Sequence, residues 1–318
     1  VGDRYLVGID LGGTAIKMGI CTIDGQILGE LERPTPKGSY VDVLKTFRTM
    51  VDELLQGLGL TKNQLTGIGV GVPAFLDVKK GFVYEIVNLG WKNVSLKEEL
   101  EKLFQLPCYV DNDANTAALG EMWLGAGRGS NELICLTIGT GIGGGLILNG
   151  HIYHGAIGMA GEIGHLPVRP VGGRPCNCGG HGCLETETSA SAMVYYAKEA
   201  ATKPGRLKEL SDKMGTITAK DVIELAKQGD PASIQILDQV SYYLGLSLAQ
   251  LANVLNPQKI IIGGGVSKAG HFLLDRVRTH FIHFAIKKIG ESTEIVTAEL
   301  GNQAGWLGAA RLVQQRLE

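Results

Sequence analysis

Three cysteines, Cys176, Cys178 and Cys183, lie within a span of eight residues in a chain of 318. Thiolates at that spacing suit a metal, and zinc takes four N or S donors in a tetrahedron. A fourth donor is therefore expected. His181 lies inside the same loop and His165 lies 11 residues upstream of Cys176; spacing alone does not choose between them. A four-ligand site has no open position, so the metal's expected role is structural. Cys21, Cys108 and Cys135 stand alone in apolar segments, where a free thiol acts as a small hydrophobe.

Two glycine turns could hold phosphate. In Asp10-Leu11-Gly12-Gly13-Thr14 no bulky side chain keeps the backbone N–H groups from phosphoryl oxygens. Asp10, at a strand end, suits a hydrated magnesium ion, and Thr14 and Lys17 offer a hydroxyl and a cation. The second turn, Gly139-Thr140-Gly141, opens a formal dinucleotide fingerprint, Gly139-x-Gly141-x-x-Gly144. That fingerprint requires a helix next, yet Gly145–Leu148 reads as a strand, so the dinucleotide reading fails. No Gly-Lys pair occurs, which excludes a Walker A loop. Two strand–turn–strand loops of this kind suit an actin-like nucleotide clamp.

Carboxylates and amides gather in three more places: Asp111-Asn112-Asp113, Gly161-Glu162-Ile163-Gly164-His165, and Leu184-Glu185 straight after the last cysteine. A hexose needs a donor or acceptor for each hydroxyl, and these segments could supply them. Each also has a plainer reading: Asp111-Asn112-Asp113 as a helix N-cap, Glu185 as a solvated loop charge.

The elements that carry these groups follow from periodicity. Tyr5–Asp10 is an apolar strand, and Ile16–Ile23 and Gln26–Arg33 form a hairpin across Asp24-Gly25. Apolar residues at helical spacing run from Tyr40 to Leu58. Gly67–Val72 is a strand, Leu96–Phe104 a helix and Cys108–Val110 a strand, with a helix starting near Asn112 or Asp113. The pattern then restarts with the strand Leu133–Ile138, its glycine turn, and a hairpin across Asn149-Gly150. A loop region covers Gly155–Glu185, and helices dominate from Ser189 to Asn256, the clearest opening at Asp230-Pro231. Lys259–Ile262 and Glu294–Thr297 are strands, Gly263-Gly264-Gly265 follows the first, and a helix from about Gln303 to Leu317 closes the chain. Two blocks that open alike imply two similar α/β domains facing each other across a cleft.

Composition agrees. Apolar residues make up 44% and charged residues 19%, enough for a large core and too few charges for disorder. The 46 glycines against 10 prolines cluster in short runs, which points to backbone approaching ligands. A net charge of -2 without a basic stripe argues against a nucleic-acid partner. No apolar stretch reaches the roughly 18 residues that span a bilayer, so no membrane role is expected, and the expected place is the cytoplasm.

Taken together, Asp10-Leu11-Gly12-Gly13-Thr14, Asp111-Asn112-Asp113-Ala114-Asn115, Gly161-Glu162-Ile163-Gly164-His165 and Cys176-x-Cys178-Gly179-x-x-Gly182-Cys183-x-Glu185 resemble the ROK family of sugar kinases and repressors. The resemblance runs from Leu6 to Leu317, and the cysteine motif with its trailing glutamate is the specific part. It implies an actin-like, ribonuclease H-like ATPase fold of two α/β domains around a central cleft, with a zinc-binding loop. The expected limits are residues 1–112 plus 302–318 for the smaller domain and 113–301 for the larger. It implies transfer of the ATP γ-phosphate to the 6-hydroxyl of a hexose, glucose first. Another hexose (N-acetylmannosamine, mannose or fructose) or a non-catalytic sugar-sensing regulator is the alternative.

By the same resemblance Asp113 is the base, Asn112 binds the sugar, and Glu162, His165, Glu185 and Asn88 are further sugar contacts. His165 becomes the fourth zinc ligand beside Cys176, Cys178 and Cys183. ATP with magnesium would meet Asp10, Gly12, Gly13, Thr14, Lys17, Thr140 and Gly141, with Gly264 and Gly265 near the adenosine. Zinc is structural, and a homo-oligomer, dimer or tetramer, is expected. One departure stands out. Ala74 follows Pro73 where family members commonly have glycine, and its methyl is expected to bear on sugar selection.

Overall fold

The computed structural model describes residues 4–317. Residues 1–3 and 318, which the expected domain limits include, lie outside the described residues. The chain forms two compact units. The first comprises residues up to Asn131, Gly145–Gly161 and the segment from Glu299; the second comprises Glu132–Gly144 and Glu162–Ala298.

The first unit is built on a five-stranded sheet. Its strands are β1 (Tyr5–Leu11), β2 (Ala15–Thr22), β3 (Ile27–Pro34), β4 (Leu65–Val72) and β8 (Cys108–Asn112), in the order β3-β2-β1-β4-β8. The first three run antiparallel, and β4 and β8 join parallel to β1. A small antiparallel sheet of β5 (Phe75–Asp77), β6 (Phe82–Ile86) and β7 (Trp91–Val94) follows β4. It was not among the sequence expectations. The helices here are α1 (Tyr40–Leu58), α2 (Leu96–Phe104), α3 (Asp113–Leu124) and, at the far end of the chain, α11 (Ala304–Leu317).

Alternation along β1 splits the core in two. Val7, Ile9 and Leu11 face a cluster that includes Val43, Phe47 and Val51 of α1, whereas Leu6 faces Trp306, Leu307 and Ala310 of α11. On the α11 side three glycines stand in register, Gly19 beside Gly8 beside Gly69. A Cβ on Gly8 would sit 1.8 Å from the carbonyl oxygen of Trp306, and one on Gly69 1.7 Å from that of Ala309. Part of the glycine excess therefore brings a helix down onto a sheet, and does not approach a ligand as composition implied.

The same device fixes α3. A Cβ on Gly308 would lie 1.6 Å from the Thr116 carbonyl oxygen, and one on Gly120 2.2 Å from that of Ala304. Close packing on α11 draws α3 into the first unit, and 145–161 also packs there, so the division falls differently from the expected limits at 112 and 302.

The second sheet has the order β11-β10-β9-β12-β13, with β9 (Leu133–Ile138), β10 (Ile142–Leu148), β11 (His151–Ile152), β12 (Lys259–Gly263) and β13 (Glu294–Thr297). β12 runs parallel to β9 and to β13. Both sheets thus place hairpin strands, then their opening strand, then two parallel strands, which is the repeat read from the sequence. Helices α4 (Leu184–Thr188), α5 (Ala190–Ala200), α6 (Arg206–Met214), α7 (Ala219–Lys227), α8 (Pro231–Leu255), α9 (His271–Phe284) and α10 (Lys287–Ser292) complete the second unit. α8 starts where expected, with the Asp230 carboxylate accepting from the Ser233 N–H at 2.9 Å and Pro231 in the first turn. Among the described residues no helix is long and apolar enough to cross a membrane.

Candidate functional site

In the first unit the expected groups gather at the C-terminal ends of β1 and β8. Asp10 pairs in register with Lys17 across the β1–β2 hairpin. The first turn of α11 presses on Asp10, since a Cβ on Gly305 would lie 2.7 Å from its carboxyl carbon. Burial pushes the Asp10 carboxyl up to about 6; the Asp113 carboxylate adds to the shift and Lys17 opposes it. The Gly12 N–H donates to the Ala15 carbonyl at 2.9 Å, which closes the turn and leaves Gly13 and Thr14 exposed. Thr35 clasps this turn from outside. Its hydroxyl donates to the Gly12 carbonyl at 2.7 Å and its N–H to that of Thr14 at 3.0 Å. Asn88 stands beside Gly13, its Cβ 3.7 Å from where a Gly13 Cβ would be.

Asn112 ends β8 and caps α3, its Oδ1 accepting the N–H groups of Ala114 at 2.8 Å and Asn115 at 3.4 Å. The plain helix-capping reading therefore holds for this residue, and it leaves the side-chain NH₂ for a ligand. Asp113 opens the helix, with Oδ1 accepting the Ala114 N–H at 2.9 Å. Beneath both lies Asp111, fully buried and 2.7 Å from His154 Nε2. Ala74 turns into the apolar core of this unit and is 9% exposed.

In the second unit the groups gather around β9, β10 and the cysteine loop. Gly264 follows β12 at a φ of 84°, and a Cβ there would lie 2.4 Å from the Ile138 carbonyl oxygen. This brings Gly264 beside the β9–β10 turn that holds Thr140 and Gly141. Glu185, on α4 directly after Cys183, reaches the same turn: one oxygen accepts the Ile142 N–H at 2.9 Å. A Cβ on Gly141 would come within 2.2 Å of that oxygen, so only glycine lets the carboxylate in. Glu162 is exposed and precedes a single 3₁₀ turn, Ile163–His165, with its Oε2 3.9 Å from His165 Nε2.

The thiols and His165 come together, and His181 does not join them. Cys176 Sγ lies 3.5 Å from His165 Nδ1, and Cys178 Sγ 3.6 Å from Cys183 Sγ. All four donor atoms lie within 4.8 Å of one another. Zinc bonds of about 2.0–2.3 Å would hold tetrahedral donors roughly 3.5–3.8 Å apart, so the two shortest edges already fit. Burial pushes the Cys183 thiol up to about 12, while the Gly180 N–H and the neighbouring cysteines lower that of Cys178. A soft cation suits such a donor set. The arm of the loop before the cysteines is tied down by Glu187, which is fully buried, accepts from the Tyr196 hydroxyl and lies 3.6 Å from Arg169 Nη1. Sequence reasoning missed Glu187, Thr35 and His154; none belongs to a motif, and only the fold brings them to their partners.

The family model that describes the ROK family matches residues 6–316. The chain belongs to the ROK family. It is 47% identical to a glucokinase of Halalkalibacterium halodurans over 99% of this chain and 96% of that one. It is 30% identical to the xylose repressor of Bacillus subtilis, over 97% of this chain and 77% of the repressor. Among solved structures it resembles a ROK family glucokinase from Streptomyces griseus in complex with glucose and AMPPNP. That likeness has 34% identity and a TM-score of 0.79, over 98% of this chain and 99% of that one. The ROK actin-like fold read from the motifs is thus the fold of this chain.

Proposed function

We infer that the chain is a glucokinase, transferring the γ-phosphoryl group of ATP to the 6-hydroxyl of glucose. The observation that carries this is the full-length identity of 47% to a glucokinase, well above the 30% to a repressor. Phosphoryl transfer asks a protein mainly to position reactants and stabilise charge. In this reading Asp113 takes the proton of the 6-hydroxyl as its oxygen attacks phosphorus, while Asn112 donates its free NH₂ to a neighbouring sugar hydroxyl. Glu162, the second oxygen of Glu185 and Asn88 are assigned to the remaining hydroxyls. The N–H groups of Gly12–Thr14 and Thr140–Gly141, with Lys17, receive the phosphates, and Gly264 and Gly265 lie near the adenosine.

Asp10 would hold a hydrated magnesium ion, which would neutralise phosphate charge. His165, Cys176, Cys178 and Cys183 would hold zinc in a closed, structural site. With Nδ1 turned to the metal, His165 Nε2 carries the hydrogen and is fixed as a donor toward a sugar oxygen. Such an enzyme works where ATP and reduced thiols are, in the cytoplasm. Val254, Ile282 and Ile286 expose apolar side chains where α8 and α9 end, a surface that supports a homodimer or tetramer.

The test is ADP release from Mg-ATP across glucose, mannose, fructose, N-acetylmannosamine and no sugar. Strong stimulation by glucose is expected. Preference for another sugar moves the substrate and keeps the roles; no stimulation by any sugar refutes the kinase reading and favours a sugar-sensing regulator.

A further inference from the structure

A buried carboxylate and a histidine stand beneath the proposed base, and neither takes part in the chemistry above. Asp111 is fully buried near the end of β8, two residues before Asp113. A carboxylate taken out of water is strongly destabilising unless donors meet its oxygens. Its Oδ1 accepts the Asn112 N–H at 2.7 Å and the Asn115 side-chain amide at 3.0 Å. Its Oδ2 faces His154 Nε2 at 2.7 Å. Facing a carboxylate oxygen at that distance, Nε2 carries the hydrogen.

The first two donors belong to the β8–α3 junction itself. The third reaches in from a different segment of the same unit, the loop after β11. That loop is held in its turn: the His154 carbonyl accepts the Ala160 N–H at 3.1 Å, and a Cβ on Gly158 would lie 3.0 Å from the Leu76 carbonyl oxygen. The ring is 23% exposed, so water competes only partly for its hydrogen bond. Asp111 thus joins a fixed external donor to the backbone of the residue that precedes Asp113.

We propose that His154 is a positioning residue for phosphoryl transfer: through Asp111 it fixes the junction that presents Asn112 and Asp113 to the sugar. The proposal rests on the kinase reading above. Removing the imidazole donor leaves Oδ2 short of a partner in a dry site, and the junction must shift or admit water. A displacement of the base by under an ångström costs about 10- to 100-fold in turnover. The first phosphate turn, closed by Thr35 and Ala15, does not lean on His154, so the KM for ATP stays within about twofold.

The shape of the side chain supplies the test. His154→Gln places an amide N–H near the position of Nε2; His154→Asn is too short to do so; His154→Phe keeps the ring and loses the donor. Expected turnover with glucose is within about threefold of wild type for Gln, and about 10- to 100-fold down for Asn and Phe. In an Asp111→Asn background His154→Phe costs little more, because the interaction is already gone. A proton NMR spectrum gives a readout apart from turnover: a downfield imidazole N–H resonance, lost in both His154→Phe and Asp111→Asn. Equal turnover in Gln, Asn and Phe, or a resonance that survives Asp111→Asn, overturns the proposal. Should Phe fail to fold, the Gln against Asn contrast still decides. A wild-type protein inactive on every sugar would overturn the kinase reading, while the resonance would still report whether the His154–Asp111 pair exists.

Discussion

Replacing Asp10 by asparagine should make the first unit more stable at neutral pH while it removes activity. The carboxyl is pushed from 3.8 up to about 6, by burial first and by Asp113 second, against the pull of Lys17. A carboxyl whose pKa is raised on folding stabilises the native state below its unfolded value, near 4, and that contribution is lost as pH rises through about 6. About two units correspond to roughly 3 kcal/mol at pH 7.5. Solvent reaching the half-buried side chain reduces the expected gain of Asp10→Asn to about 1–2 kcal/mol. Trp91, Trp123 and Trp306 all belong to the first unit, so tryptophan fluorescence in urea reads this unit alone. The variant's midpoint should exceed that of the wild type at pH 7.5, and the gap should narrow as pH falls through about 6 and close below about pH 4. Added magnesium should stabilise the wild type and not the variant, by mass action on a site that needs the carboxylate. Equal midpoints at pH 7.5, or a gap that ignores pH, would refute the account of Asp10.

Three further outcomes are expected. Asp113→Asn should lower kcat by about 10²–10⁴ while glucose still binds; near-wild-type turnover would remove its role as base. The purified protein should carry one zinc per chain, and chelation under reducing conditions should raise the KM for glucose by about 10–100-fold with far less effect on ATP, which kinetics on metal-stripped protein would check. Gly8→Ala should lower stability by about 2–3 kcal/mol in urea titration, because its methyl meets the backbone of α11; an unchanged midpoint would refute the packing argument.

How much of this could be read beforehand varies element by element. Asp230-Pro231 marks the start of α8 because a cap and a proline act locally, and Asp24-Gly25 marks its hairpin for the same reason. Asn112 is a subtler case: one atom caps the helix and another remains for a ligand, so the plain reading holds and leaves room for the proposed one. The in-register row Gly19, Gly8, Gly69 cannot be seen along the chain, since β4 pairs with β1 across more than forty intervening residues and only pairing aligns the three. The strands β5 to β7 are three to five residues long and partly exposed, with Phe75 and Tyr84 facing out, so no alternating core face announces them. His154 and Glu187 carry no motif. Their importance comes from the buried partners that tertiary folding assigns them.

Within the second unit Glu185 joins the cysteine loop to the β9–β10 turn, and so, in the proposed function, a sugar contact to a phosphate turn. It follows Cys183 by two residues, so a cation that fixes the thiol also fixes the start of α4. One carboxylate oxygen is already committed to the Ile142 N–H, at the base of the turn that holds Thr140 and Gly141. Only the other oxygen remains for the proposed bond to a sugar hydroxyl. Any shift of the cysteine loop therefore moves the proposed sugar contact and the support of the β9–β10 turn together, through a single side chain. A zinc ion with a closed coordination shell can in this way matter to catalysis without touching either substrate.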